Sequence, residues 1–263
     1  MIDSLSDGVT LITGASRGIG RALALQLAVP GSRLSLTGRD SQALETVAAE
    51  CRAAGAETLV TTGDVGIQAD VRLVVEKTVA RFDGIDVLVC NAGVSMVCPF
   101  GDLDDPEAIE RLIRVNYLGS VYFTQLTLPH LLRSKGRIVA VASLTALTGV
   151  PTRTGYAASK AAMAIFFDSL RIELAGRGVS VTVAYPGFVE TGIRERAAGS
   201  GEGRGSRPGR IMSADECAQR IWNAARHRRR EVVMTVRGKA GRWLRLIAPG
   251  LVDRIAARAV GWS

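Results

Sequence analysis

Tyr156 and Lys160 stand four residues apart in the run Tyr156-Ala-Ala-Ser-Lys160, and on a helix that spacing puts both side chains on one face. An ammonium held beside a phenol favours the phenolate and pulls down a pKa that starts near about 10. A tyrosine so placed can give or take a proton near neutral pH. Taken alone, the pair is also an ordinary feature of helix surfaces. A second suggestive run lies near the start of the chain, Thr13-Gly14-Ala15-Ser16-Arg17-Gly18-Ile19-Gly20. Gly14 permits a sharp turn there. Gly18 and Gly20 let the backbone and a helix N-terminus approach a pyrophosphate, whose charge the unpaired amides and the helix dipole favour. Such a glycine motif gains weight only from a strand before it and a helix after it.

The elements that must hold these residues follow from hydrophobic periodicity. Strands are predicted over Val9–Thr13, Arg33–Thr37, Thr58–Thr61, Val87–Cys90, Arg137–Ala142 and Val179–Tyr185. Helices are predicted between them, over Ile19–Ala28, Ser41–Ala54, Ile67–Phe82, Pro106–Leu132 and Thr154–Ala175. This alternation is the pattern of a parallel sheet with crossover helices on both faces. The stretch Ala197–Arg210, rich in Gly, Ser and Arg, has no apolar period and reads as a mobile loop. Ser213-Ala-Asp-Glu216 is a capping-box start for a helix reaching about Arg226, and Glu231–Thr235 reads as a seventh strand. With no internal repeat and no linker, residues 1–235 form one domain, followed by an extension over 236–263.

Composition excludes several classes. At 47% hydrophobic and 22% charged residues the chain is globular, and disorder of the whole is ruled out. Cys51, Cys90, Cys98 and Cys217 have no C-x-x-C spacing, and His130 and His227 are the sole histidines, so neither a metal site nor a disulfide framework is expected. Reduced thiols fit a cytoplasmic location. The polar segment Met1–Gly8 reads as neither a signal nor an anchor, and no apolar run is long enough to span a bilayer. The net charge of +8 is uneven: residues 1–191 carry 17 Lys and Arg against 19 Asp and Glu, whereas 192–263 carry 16 against 6. The basic run His227-Arg228-Arg229-Arg230 lacks interleaved stacking aromatics, so nucleic acid is not an expected partner.

Asn91-Ala92-Gly93 follows the fourth strand, Asn116 lies in the long helix, Ser143 follows the fifth strand, and Pro186-Gly187 follows the sixth. Together with the glycine turn and Tyr156-Ala-Ala-Ser-Lys160, in this order and at these strand ends, they resemble the short-chain dehydrogenase/reductase family over about residues 5–235. The resemblance implies a single-domain Rossmann fold with a doubly wound, seven-stranded parallel sheet, helices on both faces, and C-terminal amphipathic helices beyond it. It implies an oxidoreductase that interconverts an alcohol and a carbonyl compound, with Tyr156 as proton donor or acceptor. Lys160 would lower the tyrosine pKa and hold the nicotinamide ribose, and Ser143 would donate to the substrate oxygen as an oxyanion hole does. Asn116 would hold a water linking Lys160 to solvent. Thr13, Asn91, Ala92, Gly93, Pro186, Gly187, Val189 and Thr191 would line the cofactor cleft, Thr191 at the carboxamide end. Ser143 could instead cap a turn, and Asn116 could bond neighbouring backbone.

A carboxylate at the end of the second strand would bind the adenosine ribose of NAD and repel a 2′-phosphate. Gly38 occupies that place, and Arg39 and Arg17 could converge on the phosphate with charge-assisted bonds. Ser16 adds a hydroxyl. Asp40 could pair with Arg39, although a helix N-cap is the better account of it. The cofactor expected is therefore NADP(H). Asp64-Val65 matches the family's adenine-binding position, and Asp64 could equally cap the following helix.

Beyond residue 235, Trp243, Leu244, Ile247, Leu251, Val252, Ile255, Ala259 and Val260 form apolar stripes broken at Pro249-Gly250, with Lys239, Arg242, Arg245, Arg254 and Arg258 between them. Two short amphipathic helices are expected. They pack on the enzyme body or on a second subunit, or they lie in the interface of a membrane, where Trp and basic residues suit the headgroup boundary. This ending resembles the microsomal hydroxysteroid dehydrogenase subgroup, which implies a lipophilic substrate and peripheral contact with the inner face of a membrane. The family also pairs its two long helices into homodimers or homotetramers. A non-catalytic NADP-binding scaffold or a membrane adaptor of the same fold is the alternative; the joint presence of Asn116, Ser143, Tyr156 and Lys160 counts against it.

Overall fold

Alternate residues of the strands serve two different cores, and that period of two makes the sheet doubly wound. In β1 (Val9–Thr13), Val9 and Leu11 face one core and Ile12 the other. The same division runs through β4 (Val87–Cys90), where Leu88 and Cys90 oppose Val87 and Val89. The computed structural model describes residues 8–192, 197 and 211–261. Among them lie seven parallel strands in the order β3-β2-β1-β4-β5-β6-β7, completed by β2 (Arg33–Gly38), β3 (Glu57–Thr62), β5 (Arg137–Val141), β6 (Ser180–Tyr185) and β7 (Glu231–Val233). The order reverses between β1 and β4, the switch point where open sheets of this kind bind ligands.

One core packs under α1 (Gly18–Leu27), α2 (Ser41–Ala53) and α7 (Ala214–Arg226), the other under α3 (Gln68–Phe82), α5 (Gly119–Ser134) and α6 (Thr154–Glu173). Ser213 caps α7 as its capping box predicts, its hydroxyl accepting from Glu216 N at 3.1 Å. Two expectations change, and a third is not reached. The helix expected over 106–132 begins as α4 (Ala108–Ile113), widens into a π-turn over Arg114–Leu118, and only then continues as α5. The wide turn carries Asn116 inward, as π-bulges at functional sites commonly do. The seventh strand ends two residues early, because the Thr235 hydroxyl accepts from Gly238 N and caps α8 (Val236–Ile247) instead of extending the ladder. The loop expected over 197–210 lies outside the described residues apart from Ala197; the segment leading to it is tied back at Val189, which pairs with Met212.

α8 and α9 (Pro249–Ala259) are the two amphipathic helices expected at the C-terminus. α8 sits over the turn after β5, where Arg245 donates to Leu147 O at 2.7 Å and Arg242 pairs with Glu231 at 2.5 Å. Their apolar stripe is only partly consumed by the fold: Val252 and Val260 are buried, whereas Trp243 is 67% exposed and Ile247 84%, with Leu246, Leu251 and Ile255 also exposed. Among the described residues no helix is long and apolar enough to cross a membrane. All four cysteines are free and buried.

Candidate active site

The glycine turn after β1 is shaped for backbone, not side chains. Gly14 has φ +66°, a left-handed value that only glycine adopts freely. A Cβ there would stand 2.8 Å from Ala92 Cα, and one at Gly20 would stand 2.2 Å from Gly14 O. Helix α1 can therefore start directly against the turn. Its N-cap, Arg17, makes no side-chain cap bond, and no acidic residue occupies the first turn. The first amides and the positive end of the helix dipole are left for an anion. Thr13 and Asn91 lock the floor: the Thr13 hydroxyl accepts from Asn91 N and Ala92 N at 2.9 and 3.0 Å, and Asn91 Nδ2 donates to Thr13 O and Gly14 O.

From this turn an elongated cleft of about 420 Å³ runs along the carboxyl ends of the strands. Of the residues expected to hold a cofactor, all but Thr13 and Gly20 line it, and those two shape it from behind. Thr191 lies against Gly18, where a Cβ would meet its Cβ at 2.9 Å, and Gly93 brings the backbone close to Lys160 Nζ. A long cleft with an anion-binding turn at one end and a phenol and an ammonium at the other fits a dinucleotide.

At the adenosine end the two arginines do not stand alone. Arg17 Nη2 pairs with Asp40 Oδ2 at 2.6 Å, and Arg39 pairs with Asp64 Oδ2 at 3.7 Å. Asp40 does cap α2, its Oδ1 accepting from Ala43 N at 3.0 Å, but its second oxygen goes to Arg17 and not to Arg39. Asp64 does not cap α3. Its Oδ1 accepts from Gly66 N at 2.8 Å and closes a turn before the helix.

The other end is buried. Ser143 accepts from Thr145 N at 3.3 Å and from the Thr145 hydroxyl at 3.1 Å, so it does cap a turn. With both lone pairs so engaged, its own proton is left to donate, and the Ser143 hydroxyl favours the ionised form of Tyr156. Asn116 is wholly buried: its Nδ2 donates to Val94 O and Ser159 Oγ, both at 2.9 Å, and its Oδ1 accepts from Val94 N at 2.8 Å. Its side chain thus bonds neighbouring groups and ties the loop after β4 to α6. Lys160, 3% exposed, donates from Nζ to Val141 O at 2.8 Å.

The expected ionisation differs from the one found. Tyr156 packs against Met96, Cys98 and Leu112, and this desolvation lifts its pKa above the ordinary tyrosine value. The Ser143 hydroxyl and the charge of Arg153 oppose the rise. Lys160 does not bring the phenol down, because its ammonium is turned to Val141 O and is itself pushed down to about 8 by burial. Arg153 is a residue that the sequence pattern does not single out. Its one local signal is its place three residues before Tyr156, at the start of the same helix.

A family model described as "short chain dehydrogenase" matches residues 8–200. The chain belongs to the short-chain dehydrogenase family. Among relatives of this short-chain dehydrogenase, the Arabidopsis thaliana "11-beta-hydroxysteroid dehydrogenase-like 4A" is 38% identical over 84% of the chain and 74% of its own length. "11-beta-hydroxysteroid dehydrogenase 1A" of the same plant is 36% identical over 95% of the chain and 75% of its own length. A solved short chain dehydrogenase/reductase from Burkholderia phymatum, in complex with NAD, superposes with a TM-score of 0.85 at 27% identity, covering 95% of this chain and 96% of that one. The alcohol dehydrogenase of Thermococcus sibiricus, complexed with 5-hydroxy-NADP, superposes at 0.74 with 30% identity, over 86% and 94% of the two chains. The chain is thus an oxidoreductase of this family, and its structural neighbours hold nicotinamide dinucleotides in both phosphorylation classes.

Proposed function

We propose that this short-chain dehydrogenase is NADP(H)-dependent and interconverts a secondary alcohol and a ketone or aldehyde on a lipophilic substrate, with Tyr156 as general acid and base. The observation that carries the reading is the meeting of Tyr156, Ser143 and Lys160 at the far end of a cleft that begins on the glycine turn. Gly14, Gly18 and the start of α1 would hold the pyrophosphate. Lys160 and Asn91 to Gly93 would hold the nicotinamide ribose, and Pro186, Gly187, Val189 and Thr191 would cover the ring. The bound nicotinamide supplies or accepts the hydride. In reduction Tyr156 gives its Oη proton to the carbonyl oxygen, while Ser143 donates a hydrogen bond that stabilises the charge gathering there. In oxidation the phenolate takes that proton back. A relay from Lys160 to solvent would use the main chain at Asn116 or the remaining lone pair of its Oδ1, since both amide hydrogens are engaged.

NADP(H) is favoured by Gly38. A Cβ there would find nothing nearer than 3.7 Å, so the fold would accept a side chain, and its lack leaves room for a 2′-phosphate between Arg17 and Arg39. Each arginine would exchange its carboxylate partner for the phosphate. A lipophilic substrate is favoured by Val94, Val115, Val141 and Ala142 in the cleft wall. The test is a panel of lipophilic ketones offered with NADPH and with NADH. Wild type should prefer NADPH, and Tyr156→Phe should lose about 10²–10⁴-fold in kcat with cofactor affinity kept. Full turnover in Tyr156→Phe would overturn the mechanism, and a strong NADH preference would overturn the cofactor.

The exposed stripe of α8 and α9 favours a second element of this reading, peripheral contact with a membrane surface. Trp243, Leu246 and Ile247 face outward, and Arg237, Lys239, Arg254 and Arg258 lie on the same two helices. Removing residues 236–263 should abolish sedimentation with anionic liposomes. Unchanged sedimentation would overturn it. Exposed Ile165 and Ile172, two turns apart on α6, support pairing of the long helices in a homodimer.

A further inference from the structure

At the start of the helix that carries the phenol lies a guanidinium that the mechanism above does not use. Arg153 is buried at the start of α6, and its Nη1 donates to Ser95 Oγ at 2.9 Å. Ser95 is itself buried and lines the cleft. The preceding residue is clamped too: Cys98 N donates to Thr152 O at 2.9 Å, and Thr152 is held at φ +67°. A β-branched residue is rarely found in this left-handed region, and such strain persists where the surroundings over-determine it, commonly at functional sites. Two cross-links thus bind the loop after β4 to the segment that leads into α6. Between them they fix Arg153 one helical turn before Tyr156, at a spacing that brings the two side chains to neighbouring positions.

We propose that Arg153 is a positioning residue of the active site: held by Ser95 and the strained Thr152, its guanidinium is the fixed positive charge against which Tyr156 exchanges its proton. The proposal rests on the acid–base reading of Tyr156 and gives Arg153 the electrostatic part that spacing alone would give to Lys160. Groups reach the phenol from each element packed on it. From the turn after β5 comes the Ser143 hydroxyl, which together with the Arg153 charge draws the phenol toward ionisation. From the loop after β4 comes Cys98, whose thiol is kept neutral by burial and by Asp102 and Asp104. From α6 itself comes Lys160, whose Nζ faces Val141 O and Met163 Sδ.

The experiment is an ultraviolet titration of the chain's four tyrosines, with the Tyr156→Phe spectrum subtracted to isolate one phenol, run beside the pH profile of alcohol oxidation. Arg153→Gln should move the Tyr156 titration and the rising limb of the profile upward by about one pH unit, a tenfold loss of phenolate at a given pH. Arg153→Lys, which keeps the charge but not the fork, should leave both nearly in place. Ser95→Ala, which removes only the anchoring hydroxyl, should shift both upward by less. Unmoved curves in Arg153→Gln overturn the proposal and leave Tyr156 as the acid–base group. Equal upward shifts in the Gln and Lys variants also overturn it, since they mark a structural role. Should Arg153→Gln fail to fold, an unmoved Ser95→Ala titration is the overturning result. Turnover surviving in Tyr156→Phe overturns instead the reading beneath it.

Discussion

The two ends of the cleft solve different problems with different physics. At the end lined by Arg17 and Arg39 the charged groups are paired and reach solvent, Arg17 with Asp40 and Arg39 with the half-buried Asp64. Exposed pairs are worth only about 0–1 kcal/mol, so a phosphate can displace a carboxylate at little cost. At the other end Tyr156, Lys160 and Arg153 are buried or partly buried, and two of them have ionisation displaced from its ordinary range. Removing water there makes every charge count for more and every unpaired one expensive. On the proposed reading, recognition falls to groups that exchange partners cheaply, and proton transfer to groups that cannot rearrange.

The sharpest way to break this contrast is to put a fixed charge at the exchangeable end. Gly38→Asp fits sterically, and like charge facing the 2′-phosphate should lower the NADPH-to-NADH ratio of kcat/KM by about 100-fold or more. An unchanged ratio would remove Gly38 from cofactor selection. The buried end should respond in stability and not in selectivity. The folded pKa of Lys160, about 8, lies below its ordinary 10.5, so below 8 its ammonium is charged in both states and burial opposes folding. As pH rises from 8 to 10.5 the native chain releases its proton first, and stability gains on the order of 3 kcal/mol from this group. Lys160→Met should lack that rise when urea unfolding is compared with wild type across the window. A parallel pH dependence in the two proteins would mean that the lysine is not desolvated.

The smallest effect is expected from Asp40→Asn. The amide oxygen can still cap α2 by accepting from Ala43 N, while Arg17 loses its competing charge. NADPH affinity, read by fluorescence titration, should rise by about threefold. Weaker binding would show instead that Asp40 orients Arg17 for the phosphate.

Much of the fold is legible in the amino-acid sequence. The strand over Val9–Thr13, the turn at Gly14 and the capping box at Ser213 depend on neighbours within a few residues, and each appears as expected. The π-turn at Asn116 is not legible there, because it is set by bonds to Val94 and Ser159, 22 and 43 residues away. The stripe of α8 is legible as amphipathic, but its exposure is not, since that depends on whether the domain covers it.

By itself the sequence determined the order of elements, the place of the anion-binding turn and the kinds of side chain delivered to the strand ends, since periodicity, glycine conformation and capping act over short range. Only the tertiary structure decided which carboxylate holds which arginine, that the Lys160 ammonium turns to Val141 O, that burial lifts the Tyr156 phenol, and that Ser95 holds Arg153. Pairing and ionisation are set by distance and by exclusion of water, and both arise between segments that meet only when the chain has folded.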